Sequence, residues 1–269
     1  MKPFLVHRAL QGRDHSKEES VRRRRPIGFV ALAASAACLV LGAIPVTAGA
    51  TGRAGSSHRG ARTALALAIP VSKNTVTAGY VSQEHGITSV STTFEVPSIT
   101  NCTPSTNAGM GPVVILLGPH YFVGAGAEAE CQNGTTTFIV AINHNGSEAH
   151  PLTVAAQDEI SVTVTVGRTV VGVRIDDKTS NKVVAQNVPK STVTAAELGD
   201  DTLFQGHQEV PIPQFTDHKF ASTEINGKVL RLATPLTEDE LVKGSTVLIA
   251  PSAISASGAS FVMRFLHAS

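Results

Sequence analysis

Ile160-Ser161-Val162-Thr163-Val164-Thr165-Val166 is the stretch that decides the fold. Branched apolar residues alternate with hydroxyl-bearing ones at a period of two, the pattern of a half-buried β-strand. Working outward, Val113-Val114-Ile115-Leu116-Leu117 is apolar throughout and predicts a strand covered on both faces. Further strands are expected beside turn dipeptides: Thr135 to Ile142 after Asn133-Gly134, Val170 to Ile175 before Asp176-Asp177, and Val229 to Leu232 after Asn226-Gly227. Asn145-Gly146 marks another turn, and Val247 to Ala250 and Phe261 to Phe265 complete the set. One helical turn is predicted from Thr237, with Glu240 completing a capping box and Gly244 supplying a stop. Many short strands, almost no helix and no repeat period predict an all-β fold, an antiparallel two-sheet β-sandwich.

The N-terminus carries a different signal. Arg22-Arg23-Arg24-Arg25 precedes an apolar run from Ile27 to Val46, and Ala48-Gly49-Ala50 then offers the small residues a signal peptidase reads. Residues 1 to 50 are therefore expected to be a signal peptide, residues 51 to 71 a flexible spacer or propeptide-like segment, and residues 72 to 269 the folded domain. An uncleaved anchor is the competing reading, since about 20 apolar residues can span a bilayer. With the leader removed, no stable membrane insertion is expected and the domain is secreted. The leader holds 8 of the 22 Lys and Arg and 3 of the 21 Asp and Glu, which leaves 14 basic against 18 acidic residues, a net charge of −4. That balance, with no basic stripe, argues against a nucleic-acid partner.

Several catalytic arrangements are missing. There is no Gly-x-Ser-x-Gly elbow, no His-Glu-x-x-His helix and no Asp-(Ser/Thr)-Gly motif. Eight histidines follow the leader, among them His144, His150, His207 and His218, without ligand spacing, so no metal and no cofactor are expected. Two cysteines remain, Cys102 and Cys131, and in an exported domain they predict a disulfide.

Two further stretches carry a family resemblance. Ala78-Gly79-Tyr80 with Phe94-Glu95-Val96-Pro97, and later Gln132-Asn133-Gly134, resemble the secreted glutamic peptidases known as eqolisins, which open with an Ala-Gly-(Tyr/Ala) turn and a Phe-x-Val-Pro strand and hold their catalytic glutamine in Gln-x-Gly. Gln157-Asp158-Glu159-Ile160 and Gly258-Ala259-Ser260-Phe261 are similar to later scaffold strands of the family. The resemblance spans about residues 74 to 266 and implies a concanavalin-like sandwich. It also implies endopeptidase chemistry in acid, in which a carboxylate activates water and an amide stabilises the oxyanion.

Residue by residue, the resemblance puts the catalytic glutamine at Gln132. The family's Ala-Glu-Trp-x-x-Glu strand matches Ala196-Glu197-Leu198-Gly199-Asp200-Asp201, which puts the catalytic carboxylate at Asp201, with Glu209 as a fallback that needs a gap. Aspartate shortens the reach by one bond, roughly 1.5 Å. The chain also lacks tryptophan, so the family's aromatic cleft strands are altered at Val113 to Gly118 and at Ile139 to His144. Two functions follow: a monomeric glutamic-type endopeptidase acting on protein or peptide substrates, or an inactive sandwich of the same fold serving as an exported binding or surface protein.

Overall fold

Extended structure forms wherever the period of two meets a partner that can cover its apolar face. The computed structural model describes residues 68–205 and 208–267, so the expected signal peptide and nearly all of the expected spacer lie outside the described residues. The strands β1 (Val71–Asn74), β2 (Thr77–Ser82) and β3 (Ser89–Glu95) come first. A run of hairpins follows: β4 (Asn107–Gly118), β5 (Tyr121–Gln132), β6 (Thr135–His144) and β7 (Ser147–Thr153). A second run comprises β8 (Glu159–Val166), β9 (Val170–Asp177) and β10 (Lys182–Pro189). Next are β11 (Ala195–Thr202) and the short pair β12 (Phe204–Gln205) and β13 (Gln208–Glu209). The last strands are β14 (His218–Ile225), β15 (Lys228–Val229), β16 (Leu236–Lys243), β17 (Thr246–Pro251) and β18 (Phe261–Phe265).

The ladder runs β10-β9-β8-β3-β14-β18-β17-β16-β2-β11-β4-β5-β6-β7, antiparallel except where β1 pairs with β16 in parallel. It folds over on itself, so that β5 packs across β8 and β9, and β3 across β4. The result is the expected two-layered antiparallel sandwich. Its core interleaves Val162, Val164 and Ile160 of β8 with Val123, Ala125 and Ala127 of β5. At one end Phe94, Phe220, Phe261 and Tyr80 pack as linked aromatic pairs, with Phe220 and Phe261 stacked at 4.8 Å.

The Asn-Gly hairpins form as expected. Asn133 and Gly134, Asn145 and Gly146, and Asn226 and Gly227 all have positive φ at both positions, the geometry that matches the twist of the flanking strands. Three local expectations are corrected. The helical turn expected from Thr237 is instead strand β16, hydrogen-bonded to β2 on one side and β17 on the other, and Gly244 (φ 63°) closes a hairpin. The strand expected over Val229 to Leu232 is only Lys228–Val229, after which Leu230–Leu232 forms a single 3₁₀ turn. The turn placed at Asp176-Asp177 falls two residues later, at residues 178–181, because Asp177 is buried at the end of β9 and accepts the N–H groups of Thr179 and Ser180.

Strand β11 sets up the site. All eight of its residues are buried, because β2 and β4 flank it and both of its faces are covered. Ala196 and Leu198 point into the core, and so does Asp200, whose Oδ1 lies 2.8 Å from Nε2 of the buried His218 on the opposite layer. The rings of Phe215 and Phe220 each lie 5.8 Å from the imidazole. Alternation then sends Glu197, Gly199 and Asp201 to the outer face. Cys102 and Cys131 are joined, with Cα atoms 5.5 Å apart and 29 residues of separation. The bond ties the segment before β4 to the end of β5, and on the chain-entropy model it contributes about 3–4 kcal/mol.

Breaking the interlayer pair should be costly because it strands a buried partner. Asp200→Asn is expected to lower unfolding free energy by about 3–5 kcal/mol in urea titrations. A loss under about 1 kcal/mol would show that the pair does not hold β11 in place.

Candidate active site

The outer face of β11 looks onto a small depression whose lining includes Gly111, Gly126 and Asp201. Register places the acids. Asp201 sits opposite Gly111 on β4. The pairing of β4 with β5, the same on either side of Pro112, sets Gly111 against Glu128. Asp201 and Glu128 therefore share one rung with a residue between them that has no side chain, and both line the depression. A Cβ on Gly111 would lie 2.1 Å from the carbonyl oxygen of Ala127, so only glycine is tolerated there.

The same device recurs along β11. Gly199 separates Glu197 from Asp201, and a Cβ on it would lie 1.9 Å from the carbonyl oxygen of Ala78. The two acids are four residues apart, roughly 13 Å along the strand, and act on each other through charge. Burial pushes Asp201 well above the usual carboxylate range, and the charge of Glu197 adds to the rise. Burial likewise raises Glu197 to about 7, against a lowering hydrogen bond from Thr77 and a further rise from Asp239. Oδ1 of Asp201 and Oε1 of Glu197 are both buried without a hydrogen-bond partner. A carboxyl raised in this way can take a proton from water and later return it to a leaving group.

The rest of the face is polar too. Glu128 is pushed up to about 10, by burial first, then by its contact with Glu148 and the charges of Glu148, Glu130 and Asp201. Asn143 on β6 lies opposite Gly124, lines the same depression, and is 2 % exposed. Its Oδ1 accepts from the N–H of Gly146, while its Nδ2 is buried without a partner.

The residues expected from the sequence are distributed unevenly. Asp201 is in the depression. Gln132 is on the same face of β5 as Glu128, but it is exposed at the strand end, opposite Asn107, four residues beyond the Asp201 rung, or roughly 13 Å along the strand. Its amide donates to Glu130 Oε2 at 3.4 Å. The structure does not bring Gln132 and Asp201 together. Glu209 lies exposed on β13, outside the depression, though its charge still raises Asp201. Glu128 and Asn143 are the polar residues of the depression that motif matching passes over. Their signal is weaker: alternate acids on β5 at Glu128 and Glu130, and glycines at every second position between them and Gly124.

Comparison with known proteins agrees with this architecture. The model of the Peptidase A4 family matches residues 75–247. The crystal structure of scytalido-glutamic peptidase with a transition-state analog inhibitor is similar at a TM-score of 0.61 and 14% identity, covering 72% of this chain and 99% of that one. SCP-B, an eqolisin solved with the tripeptide Ala-Ile-His, is similar at 0.55 and 16%, covering 71% and 100%. Aspergilloglutamic peptidase from Aspergillus niger is similar at 0.51 and 17%, covering 59% and 99%. At these identities the structural likeness shows the fold alone. No curated protein matches the chain.

The buried acids fix the sign of the pH dependence of stability. Glu197 has a folded pKa above its unfolded one, so the stability it contributes is complete below about 4.5 and is lost as pH rises through about 7, on the order of 3 kcal/mol. Asp201 acts in the same direction. So does His218: burial alone would push its imidazole down, but the Asp200 carboxylate holds it above its usual value. Asp177 acts oppositely, its burial outweighed by hydrogen bonds from Ser180 and Thr179, but only below the ordinary carboxylate range. The melting temperature is expected to be higher at pH 5 than at pH 8, and Glu197→Gln should flatten that difference. A protein more stable at pH 8 would contradict it.

Proposed function

The chain belongs to the peptidase A4 family, and from that premise we propose that it is a secreted, acid-acting endopeptidase that hydrolyses peptide bonds through the carboxyl of Asp201. One observation carries the reading: Asp201 is a buried carboxyl lining an open depression, with an unpartnered oxygen. Once ionised, the Asp201 carboxylate takes a proton from water attacking the peptide carbonyl. The protonated carboxyl then gives that proton to the departing amine. The amide of Asn143, at the other end of the depression, donates to a backbone carbonyl of the substrate without titrating. The peptide and transition-state analogs held by the similar solved peptidases support a peptide in this cleft. Export is supported by the disulfide and the signal-like leader.

The sequence offers Gln132 as the amide, and it remains the rival donor because it shares the face of Glu128. The second functional reading is an inactive sandwich that binds an exported partner. It is favoured by the separation of Gln132 from Asp201.

Purified protein incubated with a denatured protein substrate from pH 2 to 8, with the products read by mass spectrometry, separates these outcomes. Asp201→Asn is expected to lower kcat by roughly 100-fold or more while the far-UV circular dichroism is kept. Glu197→Gln, which removes a charge that raises Asp201, should move the pH profile toward lower pH with a smaller loss of rate. Asn143→Ala should raise KM about tenfold, and Gln132→Ala should change kcat/KM less than about threefold. The acid limb of activity is expected above the ordinary carboxylate range, because burial and the charge of Glu197 keep Asp201 protonated there. If Gln132→Ala abolishes cleavage and Asn143→Ala does not, the amide assignment reverses. Folded wild-type protein that cleaves nothing at any pH would leave the binding reading.

A further inference from the structure

Beside Asp201, three side chains from two strands converge on one point. Glu128 comes from β5, and Glu148 and His150 come from alternate positions on the same face of β7. Nε2 of His150 is 3.4 Å from Oε1 of Glu148 and 3.9 Å from Oε2 of Glu128. One ligand atom from each of the three residues can be chosen so that all lie within 4.8 Å of one another. The glutamate side chains are 7 % and 4 % exposed, and the histidine is 47 % exposed at the rim.

The two acids face each other beside Nε2 of His150. Oε1 of Glu128 and Oε1 of Glu148 are buried and accept no hydrogen bond. Among the described residues, the ion pairs made by Lys and Arg go to Asp176 and Glu84, so none reaches this cluster. A carboxylate has only acceptors to offer, and two of them turned toward each other away from water need a positive species between them. A proton would join two of the three groups; a cation joins all three. Bonds of about 2.0–2.2 Å from one ion put ligand atoms about 3.0–4.3 Å apart, and both measured separations fall in that range. One imidazole nitrogen with two carboxylates suits a first-row divalent ion rather than calcium or magnesium, which take oxygen alone.

We infer that Glu128, Glu148 and His150 form a binding site for one zinc-class divalent cation, with its remaining coordination positions open toward the depression. The expectation of no metal drawn from the sequence rests on spacing within a single helix or loop. Here the ligands meet across β6, and only Glu148-x-His150 is visible in the linear order. The inference is independent of the hydrolase reading, because binding is measured without substrate.

Protein stripped with EDTA and titrated with zinc chloride at pH 7 in a calorimeter is expected to take up one ion per chain. His150→Ala and Glu148→Gln, both near the rim, should each weaken binding at least tenfold, whereas the exposed His120→Ala should leave it within twofold. Glu128→Gln should do the same as the rim variants; if that variant fails to fold, cobalt(II) substitution supplies the reading, since the visible bands of the wild-type complex should change in Glu148→Gln. Three outcomes would overturn the site: no saturable uptake by wild type, His150→Ala binding as tightly as wild type, or loss in His150→Ala with none in Glu148→Gln. The last would mean a surface histidine acting alone.

Discussion

The buried pair between Asp200 and His218 is the constraint on which the outer face depends. Strand residues alternate sides, so a slip of β11 by one position would carry Asp201 into the core and Asp200 onto the depression. A charged pair 2.8 Å apart, enclosed by Phe215 and Phe220, tolerates no such slip, because its partners would be left buried and alone. Hydrophobic pattern contributes as well, through Ala196 and Leu198, but small and apolar residues specify register less strictly than a pair that must meet across two layers. The interaction that holds the sandwich together also aims Asp201 outward.

A second constraint is the absence of side chains where the acids meet. Gly111 and Gly199 bring neighbouring backbones so close that any Cβ would collide, and they also clear the space through which Asp201 sees Glu128 and Glu197. The closeness and the electrostatics have one origin. Carboxyls collected on a dry concave surface with few cations nearby cannot all ionise, so their pKa values rise together. Such a surface is stabilised when protons are supplied to it.

Much of the scaffold was legible because its causes are local. Asn-Gly turns at residues 133, 145 and 226 need only the left-handed preference of their own two residues, and Ile160 to Val166 needs only its period of two. The failures are instructive for the same reason. Thr237 and Glu240 have the spacing of a capping box, but β2 and β17 stand ready on either side, and pairing with both outweighs the local preference for a helical turn. Gln132 shows the limit for the site. The tripeptide Gln-x-Gly is present, yet the glycine belongs to a hairpin turn, which places the glutamine at the exposed end of β5.

By itself, the sequence determined the antiparallel sandwich and the family, because each is written in local periodicity or in a motif of fixed spacing, and the disulfide between Cys102 and Cys131, because the expected domain holds two cysteines. Only the tertiary structure decided which polar groups share the depression. Asp201, Glu128 and Asn143 come from three strands, β11, β5 and β6, and their meeting depends on registers summed across several ladders, a long-range quantity that no local pattern encodes.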